Sequence, residues 1–180
     1  MIAAGPTMKR GRSRQDYETP DDLLRAVAAR FGPLEVDLAA SASNAKAPIF
    51  VTPEEDSLAV DWSGRFRDRI CWLNPPFANI APWAEKCAQH GPAMGKGLIL
   101  LLTPASIGAE WFVTHVWPHA TSVYSLVGRL TFVGSDGPYP KDCIISAFMR
   151  MAGGRVLRPW RWRLDAAQAE AESVLDLERR

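Results

Sequence analysis

The chain has 180 residues, of which 47% are hydrophobic and 23% are charged, with a net charge of +1. These values fit one globular domain with a continuous core and exclude a disordered or fibrous chain. The longest apolar run, Leu98–Leu102, is too short to span a membrane, and the N-terminal residues lack the apolar stretch of a secretory signal. Three widely separated cysteines indicate reduced thiols, so we expect a cytoplasmic protein with no membrane partner.

The predicted elements alternate between helices and strands. Residues 1–16 lack periodicity and are predicted to form a flexible basic arm ahead of a domain over residues 17–164. In Thr19-Pro20-Asp21-Asp22, threonine is expected to cap a helix and proline to take its first position. The helix ends at Gly32-Pro33. The later elements, in chain order, are predicted as strands Leu34–Leu38, Ile49–Val51 and Ile70–Leu73, a helix over Ile80–His90, a strand over Gly97–Thr103, a helix over Glu110–Val116, strands Ser122–Val127, Arg129–Val133 and Ile144–Met149, and a C-terminal helix in residues 165–180.

This succession of elements predicts an α/β fold. Continuously apolar strands that alternate with helices are typical of a parallel sheet covered on both faces. The segment Ala39–Pro48 is too broken for a full crossover helix. We therefore expect the sheet to be compressed near its first two strands.

The most informative segment is Asn74-Pro75-Pro76-Phe77, directly after a predicted strand. Two prolines cannot donate to a sheet ladder, so the strand must end there in a stiff turn. The loop presents an amide, the Pro75 carbonyl and an aromatic ring at the edge where open α/β sheets bind ligands. This set suits a planar group whose NH2 donates to two oxygens while the ring stacks on its face. An ordinary loop after a strand is the alternative interpretation.

The Asn-Pro-Pro-Phe loop resembles the [DNS]-Pro-Pro-[aromatic] motif of amino-methyltransferases that use S-adenosylmethionine (SAM). The chain from Tyr17 to about Met149 is similar to the phage-type DNA N6-adenine methyltransferase (Dam) family. The similarity rests on segments that occur in the family's order: Tyr17–Pro20, Val36–Ala40, Asn44–Lys46, Asp56–Leu58, Asp61-Trp62, Trp72–Phe77, Leu101–Ala105 and Gly128–Phe132.

The resemblance implies a single-domain Rossmann-like SAM-dependent methyltransferase fold. Its mostly parallel, seven-stranded sheet would have an antiparallel last strand, with the reversal between Gly134 and Cys143. The implied reaction is SAM-dependent methylation of adenine N6 in DNA, by base flipping and direct in-line transfer, without a metal. A bacterial host cytoplasm would be its location.

The resemblance also implies roles for single residues. The catalytic residues would be Asn74, Pro75, Pro76 and Phe77, with the Asn74 oxygen and the Pro75 carbonyl holding the amino group while Phe77 stacks on the base. The SAM contacts would come from Tyr17, Thr19, Pro20, Asp37, Ala39, Asp56 and Asn74. Asp37 would hold the methionine ammonium, and Asp56 the adenine amino group. Without the resemblance, the sequence favours a turn acid at Asp37 and a helix cap at Asp56.

Two departures keep other functions open. Ala39-Ala40-Ser41 replaces the glycine-rich turn of other methyltransferases, and Glu54 and Glu55 are only candidates for a ribose-binding acid. The alternatives are methylation of a protein glutamine or an RNA base, and a catalytically inactive DNA-binding relative. The sequence makes no prediction of the oligomeric state.

The charges near the end of the chain also have two explanations. Arginines alternate with tryptophans in residues 158–163, which fits either a nucleic-acid surface or a satellite hydrophobic cluster. Acidic residues dominate Glu54–Asp61. This separation of basic and acidic residues along the sequence fits a protein with one face for a phosphate backbone. Each charged cluster, taken alone, is also explained as a solvent-exposed tail or a solvent-exposed helix face.

Overall fold

A computed structural model describes residues 17–150 and 156–168. The predicted N-terminal arm and most of the predicted C-terminal helix lie outside these ranges, and residues 162–168 are helical. Within the described ranges, no helix is long and apolar enough to cross a membrane.

The core of the molecule is a seven-stranded sheet with the order β2-β1-β3-β4-β6-β5-β7. Strand β6 is antiparallel to both of its neighbours, and every other pairing is parallel. The strands are β1 (Val36–Asp37), β2 (Ile49–Phe50), β3 (Ile70–Leu73), β4 (Leu98–Pro104), β5 (Ser122–Leu126), β6 (Cys143–Met149) and β7 (Val156–Trp160). The predicted α/β fold is confirmed, and the reversal before β6 lies where it was expected. A further strand, β7, follows the antiparallel one along the chain.

The predicted strand Arg129–Val133 is wrong. Residues 129–132 form no strand, and Val133 makes only an isolated bridge to Glu18. The segment has the alternating pattern of a half-buried strand because Leu130 and Phe132 are buried. Its backbone, however, forms hydrogen bonds with Tyr139 and Glu18 outside the sheet. The seventh strand is β7, whose Pro159 is tolerated because β7 lies at the edge of the sheet.

Helices cover both faces of the sheet. Helix α1 (Asp21–Phe31) and residues 162–168 lie on one face, whereas α2 (Trp62–Arg65), α3 (Ala81–His90) and a π-helical turn (Phe112–Val116) lie on the other. Each face has its own buried cluster, and all seven residues of β4 between them are buried. This burial explains why the central strand is apolar along its whole length.

The start of α1 differs from the prediction in one detail. Pro20, rather than Thr19, is the residue that precedes the helix, and no side chain caps it. The carbonyl of Pro20 accepts hydrogen bonds from the amides of Leu23 and Leu24. The Thr19 hydroxyl therefore does not cap the helix and is available for a hydrogen bond elsewhere in the molecule.

The compressed region of the sheet is confirmed. Strands β1 and β2 have two residues each, and the described connection between them contains only turns and bends. In the register of β1 with β3, Asp37 lies opposite Trp72. Asp37 and Asn74 are therefore brought to the same carboxyl edge on adjacent strands.

Candidate active site at the carboxyl edge of the sheet

The carboxamide of Asn74 is fixed by the segment that precedes α1. Its Nδ2 donates hydrogen bonds to the Tyr17 carbonyl oxygen at 2.5 Å and to Thr19 Oγ1 at 3.2 Å. A carbonyl oxygen can only accept a hydrogen bond, so the NH2 of the amide must face Tyr17. The partners of Asn74 therefore set its orientation.

This orientation leaves Asn74 Oδ1 buried, with no hydrogen-bond partner among the described residues. Buried polar atoms are nearly always paired, and an orphaned one costs roughly 1–3 kcal/mol. An unsatisfied acceptor at the carboxyl end of a parallel strand is a candidate group for binding a ligand N–H.

Four aromatic rings lie in or beside the Asn74–Phe77 loop, the predicted catalytic loop, and form what we call the aromatic cluster: Tyr17, Phe77, Phe132 and Tyr139. Every pair of these rings is in contact, with centroid separations from 4.9 to 5.9 Å. Burial raises the pKa of Tyr139 to about 12, so its hydroxyl stays protonated at neutral pH. The cluster offers apolar ring faces for a planar ligand.

A small cavity of about 80 Å³ lies between the carboxyl ends of β1 and β3. Asp37 is almost fully buried there, and its two carboxylate oxygens accept from the amides of Ala39 at 3.2 Å and Lys46 at 3.0 Å. Burial raises the pKa of Asp37, and the two backbone hydrogen bonds oppose that rise. Lys46 Nζ lies 2.6 Å from Glu18 Oε1. The lining residues are Tyr17, Glu18, Thr19, Asp37, Ala39, Asn44, Lys46, Trp72, Asn74 and Pro76.

The small cavity thus combines two acids with one lysine. A ligand that carries both an ammonium and a carboxylate group would find a partner for each charge. An α-amino acid end has this pair of groups.

A larger cavity of about 650 Å³ adjoins the small one, and Ala39, Asn44 and Pro76 line both. Its size is within the range of about 300–1,000 Å³ that is usual for small-molecule sites. Its lining residues are Ala39, Ala40, Ser41, Ser43, Asn44, Thr52, Pro53, Asp56, Ser57, Pro76 and Trp83. The cavity therefore offers an aromatic ring, two prolines and an acid to a ligand that is also held in the small cavity.

The wall of the larger cavity is tied to helix α3. Lys86 Nζ donates to the Leu58 carbonyl at 2.7 Å, and Trp62 Nε1 donates to Ser57 Oγ at 3.1 Å. The Trp83 ring stacks on Trp62, with centroids 6.4 Å apart. Burial lowers the pKa of Lys86. These contacts hold residues 56–58 against the helix that follows the catalytic loop.

The structure brings most of the predicted site residues together. Five predicted cofactor residues (Tyr17, Thr19, Asp37, Ala39 and Asn74) line the small cavity, and Asp56 lines the larger one. Pro20 lines neither cavity. Asp56 Oδ1 accepts from the Leu58 amide at 3.2 Å, so one of its oxygens does act as a local cap. Pro75 is buried, whereas Pro76 is exposed and reaches both cavities.

Sequence reasoning missed several residues of the site. The sequence alone assigned no role to Glu18 or Lys46, although both belong to segments that resemble the family. Trp83 follows Ile80 at helical spacing, a pattern that by itself indicates a core residue. Its position at the cavity wall depends on the loop at residues 52–57, which no periodic pattern predicts.

Comparisons with known proteins identify the family of the chain. A family described as DNA N-6-adenine-methyltransferase (Dam) matches residues 7–149. The DNA N-6-adenine-methyltransferase of Haemophilus phage HP1 is 29% identical over 102 residues, which cover 57% of this chain and 56% of that protein. That of Escherichia phage T1 is 24% identical and covers 68% and 56%, respectively. The chain therefore spans little more than half the length of either phage enzyme.

A putative methyltransferase of Escherichia coli, YfdM, is 35% identical over 69 residues, which cover 37% of this chain and 71% of that protein. Among solved structures, the Type IIL restriction-modification enzyme MmeI in complex with DNA matches with a TM-score of 0.42 and 16% identity, over 66% of this chain and 21% of that chain. Because the family match covers more than half of the sequence, the chain belongs to the DNA N-6-adenine-methyltransferase (Dam) family.

Proposed function

We propose that this protein transfers the methyl group of SAM to the N6 amino group of adenine in DNA. The observation that carries the proposal is the buried, unpaired Asn74 Oδ1, which is held in place by Tyr17 and Thr19. Membership of the Dam family supports DNA as the substrate. Phage and E. coli relatives support action in the cytoplasm of a bacterial host.

The acceptor side of the reaction follows from the catalytic loop. Adenine N6 is a weak nucleophile because its lone pair is delocalised into the ring. Asn74 Oδ1 accepts one N–H of the amino group, and the Pro75 carbonyl accepts the other. Two acceptors on the same nitrogen favour a more tetrahedral geometry and direct the lone pair towards the methyl donor. Methylation would leave N6 positively charged and acidic, so it would release one proton to water without a strong base, while the sulfur would depart as a neutral thioether. The loop therefore acts by orientation.

The target base has to leave the duplex, at a cost of a few kcal/mol. Stacking on Phe77 offsets part of this cost, since base–aromatic stacking is worth roughly 1–3 kcal/mol. The ring separations in the aromatic cluster are too small to hold a base between two faces, which needs about 7 Å, or twice the base-stacking distance of about 3.4 Å. We expect Tyr139 to move aside when the base enters, because it lies in a half-buried loop.

The two cavities fit SAM. Asp37 and Glu18 would hold the ammonium of its methionine end, and Lys46 would hold the carboxylate. Asp56 would accept from the adenine amino group, and Trp83 would stack against the adenine ring. When bound, SAM supplies a methyl group on a positively charged sulfur, which is strongly electrophilic.

The decisive experiment follows the label from methyl-tritiated SAM into duplex DNA, RNA or protein. We expect label in DNA, recovered as N6-methyladenine. Removing one preorganised polar group of an active site costs about 10²–10³ in rate, so Asn74→Ala should lose at least this much. Asn79→Ala is the matched control, since Asn79 is an exposed amide in the same loop and should keep full activity.

Other outcomes assign the site differently. Label found only in RNA or only in protein would replace the DNA reaction with methylation of an RNA base or of a glutamine. An absence of saturable SAM binding by calorimetry would favour an inactive DNA-binding relative.

A further inference from the structure

Charge is distributed unevenly along the carboxyl edge of the sheet. On the β2 side, residues 52–61 contain four acids and no lysine or arginine. Glu55 is paired with Arg65, and Asp61 caps α2 through the Gly64 amide. Glu54 and Asp56 are exposed and form no ion pair within the described ranges. This half of the edge also contains the larger cavity, which we assign to the cofactor.

The opposite side of the edge is basic on balance, with exposed Arg129, Lys141, Arg161 and Arg163 against the exposed acids Asp136 and Asp142. Residues 158–163 contain three arginines and no acid. Trp160 and Trp162 are 4% and 1% exposed, so both rings belong to the core and cannot stack on nucleic-acid bases. Arg161 and Arg163 between and beyond them are exposed. Burial of the tryptophans thus presents the arginines to solvent.

We define the basic surface as Arg129, Lys141, Arg161 and Arg163, all of them exposed. Arg163 holds it together by donating to the carbonyls of Val127 at 3.2 Å and Arg129 at 3.0 Å. The intervening Gly128 has a φ of +87°, and a Cβ there would lie 2.5 Å from Arg163 Nη1. The close approach of the guanidinium to the loop therefore requires glycine.

The same loop connects the basic surface to the catalytic residues. The Tyr139 amide donates to the Leu130 carbonyl at 2.6 Å, and the Tyr139 ring lies 5.6 Å from that of Phe77. Arg129 Nε is 4.0 Å from Asp142 Oδ1, which partly neutralises it. No side-chain ion pair or hydrogen bond involves Lys141 or Arg161 in the part of the chain that the structure describes.

Strand spacing gives the span of this surface. Neighbouring strands are about 4.8 Å apart, so β6, β5 and β7 lie about 10, 14 and 19 Å from β3, which carries Asn74. Lys141 precedes β6, Arg129 follows β5, and Arg161 follows β7, all at the carboxyl edge. A duplex rises about 3.4 Å per base pair, so a span of about 19 Å corresponds to roughly six base pairs.

We propose that the DNA duplex extends from the catalytic loop over the β6-β5-β7 half of this edge, with Lys141 and Arg161 contacting its phosphates. The acidic β2 half remains outside the DNA footprint. This inference rests on the proposed function for its partner, and it adds which surface binds the backbone. Phosphate contacts of this kind position the duplex and do not read its sequence.

The salt dependence of DNA binding tests the inference. The affinity of the full chain for a fluorescent duplex would be measured by anisotropy between about 50 and 200 mM salt, where each phosphate contact contributes about 0.9 to the slope of log K against log[salt]. We expect Arg161→Ala and Lys141→Ala each to lower the magnitude of the slope by about 0.9, equally for unrelated DNA sequences. Arg161→Lys should restore the slope. The affinity for SAM should not change.

Matched controls lie at the opposite edge of the sheet. Arg67 and Lys96 are exposed and precede β3 and β4 at their amino ends, so Arg67→Ala and Lys96→Ala should leave the slope unchanged. Unchanged slopes in Arg161→Ala and Lys141→Ala, or equal losses in the controls, would overturn the inference. A steeper slope in Glu54→Gln would also overturn it, because it would place DNA over the acidic half. If the wild-type protein methylates DNA but the variants do not change the salt dependence as expected, the proposed function stands and only the proposed position of the duplex is wrong.

Discussion

Replacing Asn74 by aspartate tests whether the NH2 of this amide, and not only its oxygen, is needed. Asn74→Asp keeps the shape of the side chain but removes the donor that faces the Tyr17 carbonyl at 2.5 Å and Thr19 Oγ1 at 3.2 Å. The Thr19 hydroxyl can rotate and donate to the new carboxylate, but the hydrogen bond to the Tyr17 carbonyl, worth about 1 kcal/mol, is lost. A carboxylate oxygen then faces the carbonyl oxygen, which costs about 1–2 kcal/mol more. We therefore expect the free energy of unfolding at pH 8 to fall by about 2–3 kcal/mol.

The loss should depend on pH. A protonated carboxyl group can donate to the Tyr17 carbonyl, so folding raises the pKa of the introduced acid above its ordinary value of about 3.9. The stabilisation from that bond is complete below the unfolded-state pKa and is lost as the pH rises through the folded-state pKa.

Urea unfolding of the variant and of the wild type at pH 5 and pH 8 measures this difference. The stability deficit relative to wild type should be smaller at pH 5, and so should the deficit in methyl transfer relative to wild type at the same pH. Asn74→Ala is the control, since alanine does not titrate and its deficit should be the same at both pH values. An aspartate variant as stable as wild type at pH 8 would refute the orientation assigned to the amide.

Three further predictions concern the cofactor half of the site. Asp37→Asn should weaken SAM binding about 10- to 100-fold, in line with hydrogen bonds to charged groups. Burial raises the pKa of Asp37, so calorimetry on the wild type should show SAM affinity falling at mildly acidic pH. The SAM affinity of Asp37→Asn should not change over the same pH range, and parallel pH profiles would contradict this role. Trp83→Phe should retain SAM binding but lose the quenching of tryptophan fluorescence, and Trp83→Ala should lose about 1–2 kcal/mol of binding; unchanged quenching in both would remove Trp83 from the site. Lys86→Met should lower the free energy of unfolding by about 1–3 kcal/mol, since the Leu58 carbonyl loses its donor, and thermal unfolding with Lys86→Arg as the conservative control would detect it.

The catalytic loop was the most predictable part of the molecule. Its prolines dictate where β3 ends, and the end of a parallel strand dictates where the amide lies. The unsatisfied oxygen of Asn74 was not predictable, because it depends on Tyr17 and Thr19, which are more than 50 residues away. Long-range hydrogen bonds leave no periodic signal in a sequence.

The two errors in the sheet share one physical cause. Residues 129–133 show the alternation of a half-buried strand, but Leu130 and Phe132 pack into the core cluster on the α1 face from a segment that is not a strand. Residues 156–160 contain an arginine and a proline, which obscure the pattern of a strand that has only one neighbour. The hydrophobic pattern of a short segment indicates which side chains are buried, but it does not indicate the hydrogen-bond partners of the backbone.

The segment at residues 17–19 connects three parts of the site. Tyr17 and Thr19 hold the Asn74 amide, whereas Glu18 pairs with Lys46 through its side chain and with Val133 through its backbone. The segment continues into α1, which ends at Phe31 and is capped by Gly32. A protein cut after Gly32 would keep every strand of its sheet yet lack both the support for Asn74 and the α1 side chains that cover one face of the sheet. Adding back the missing piece on a drug-dependent dimerisation tag would then make the orientation of the Asn74 amide switchable.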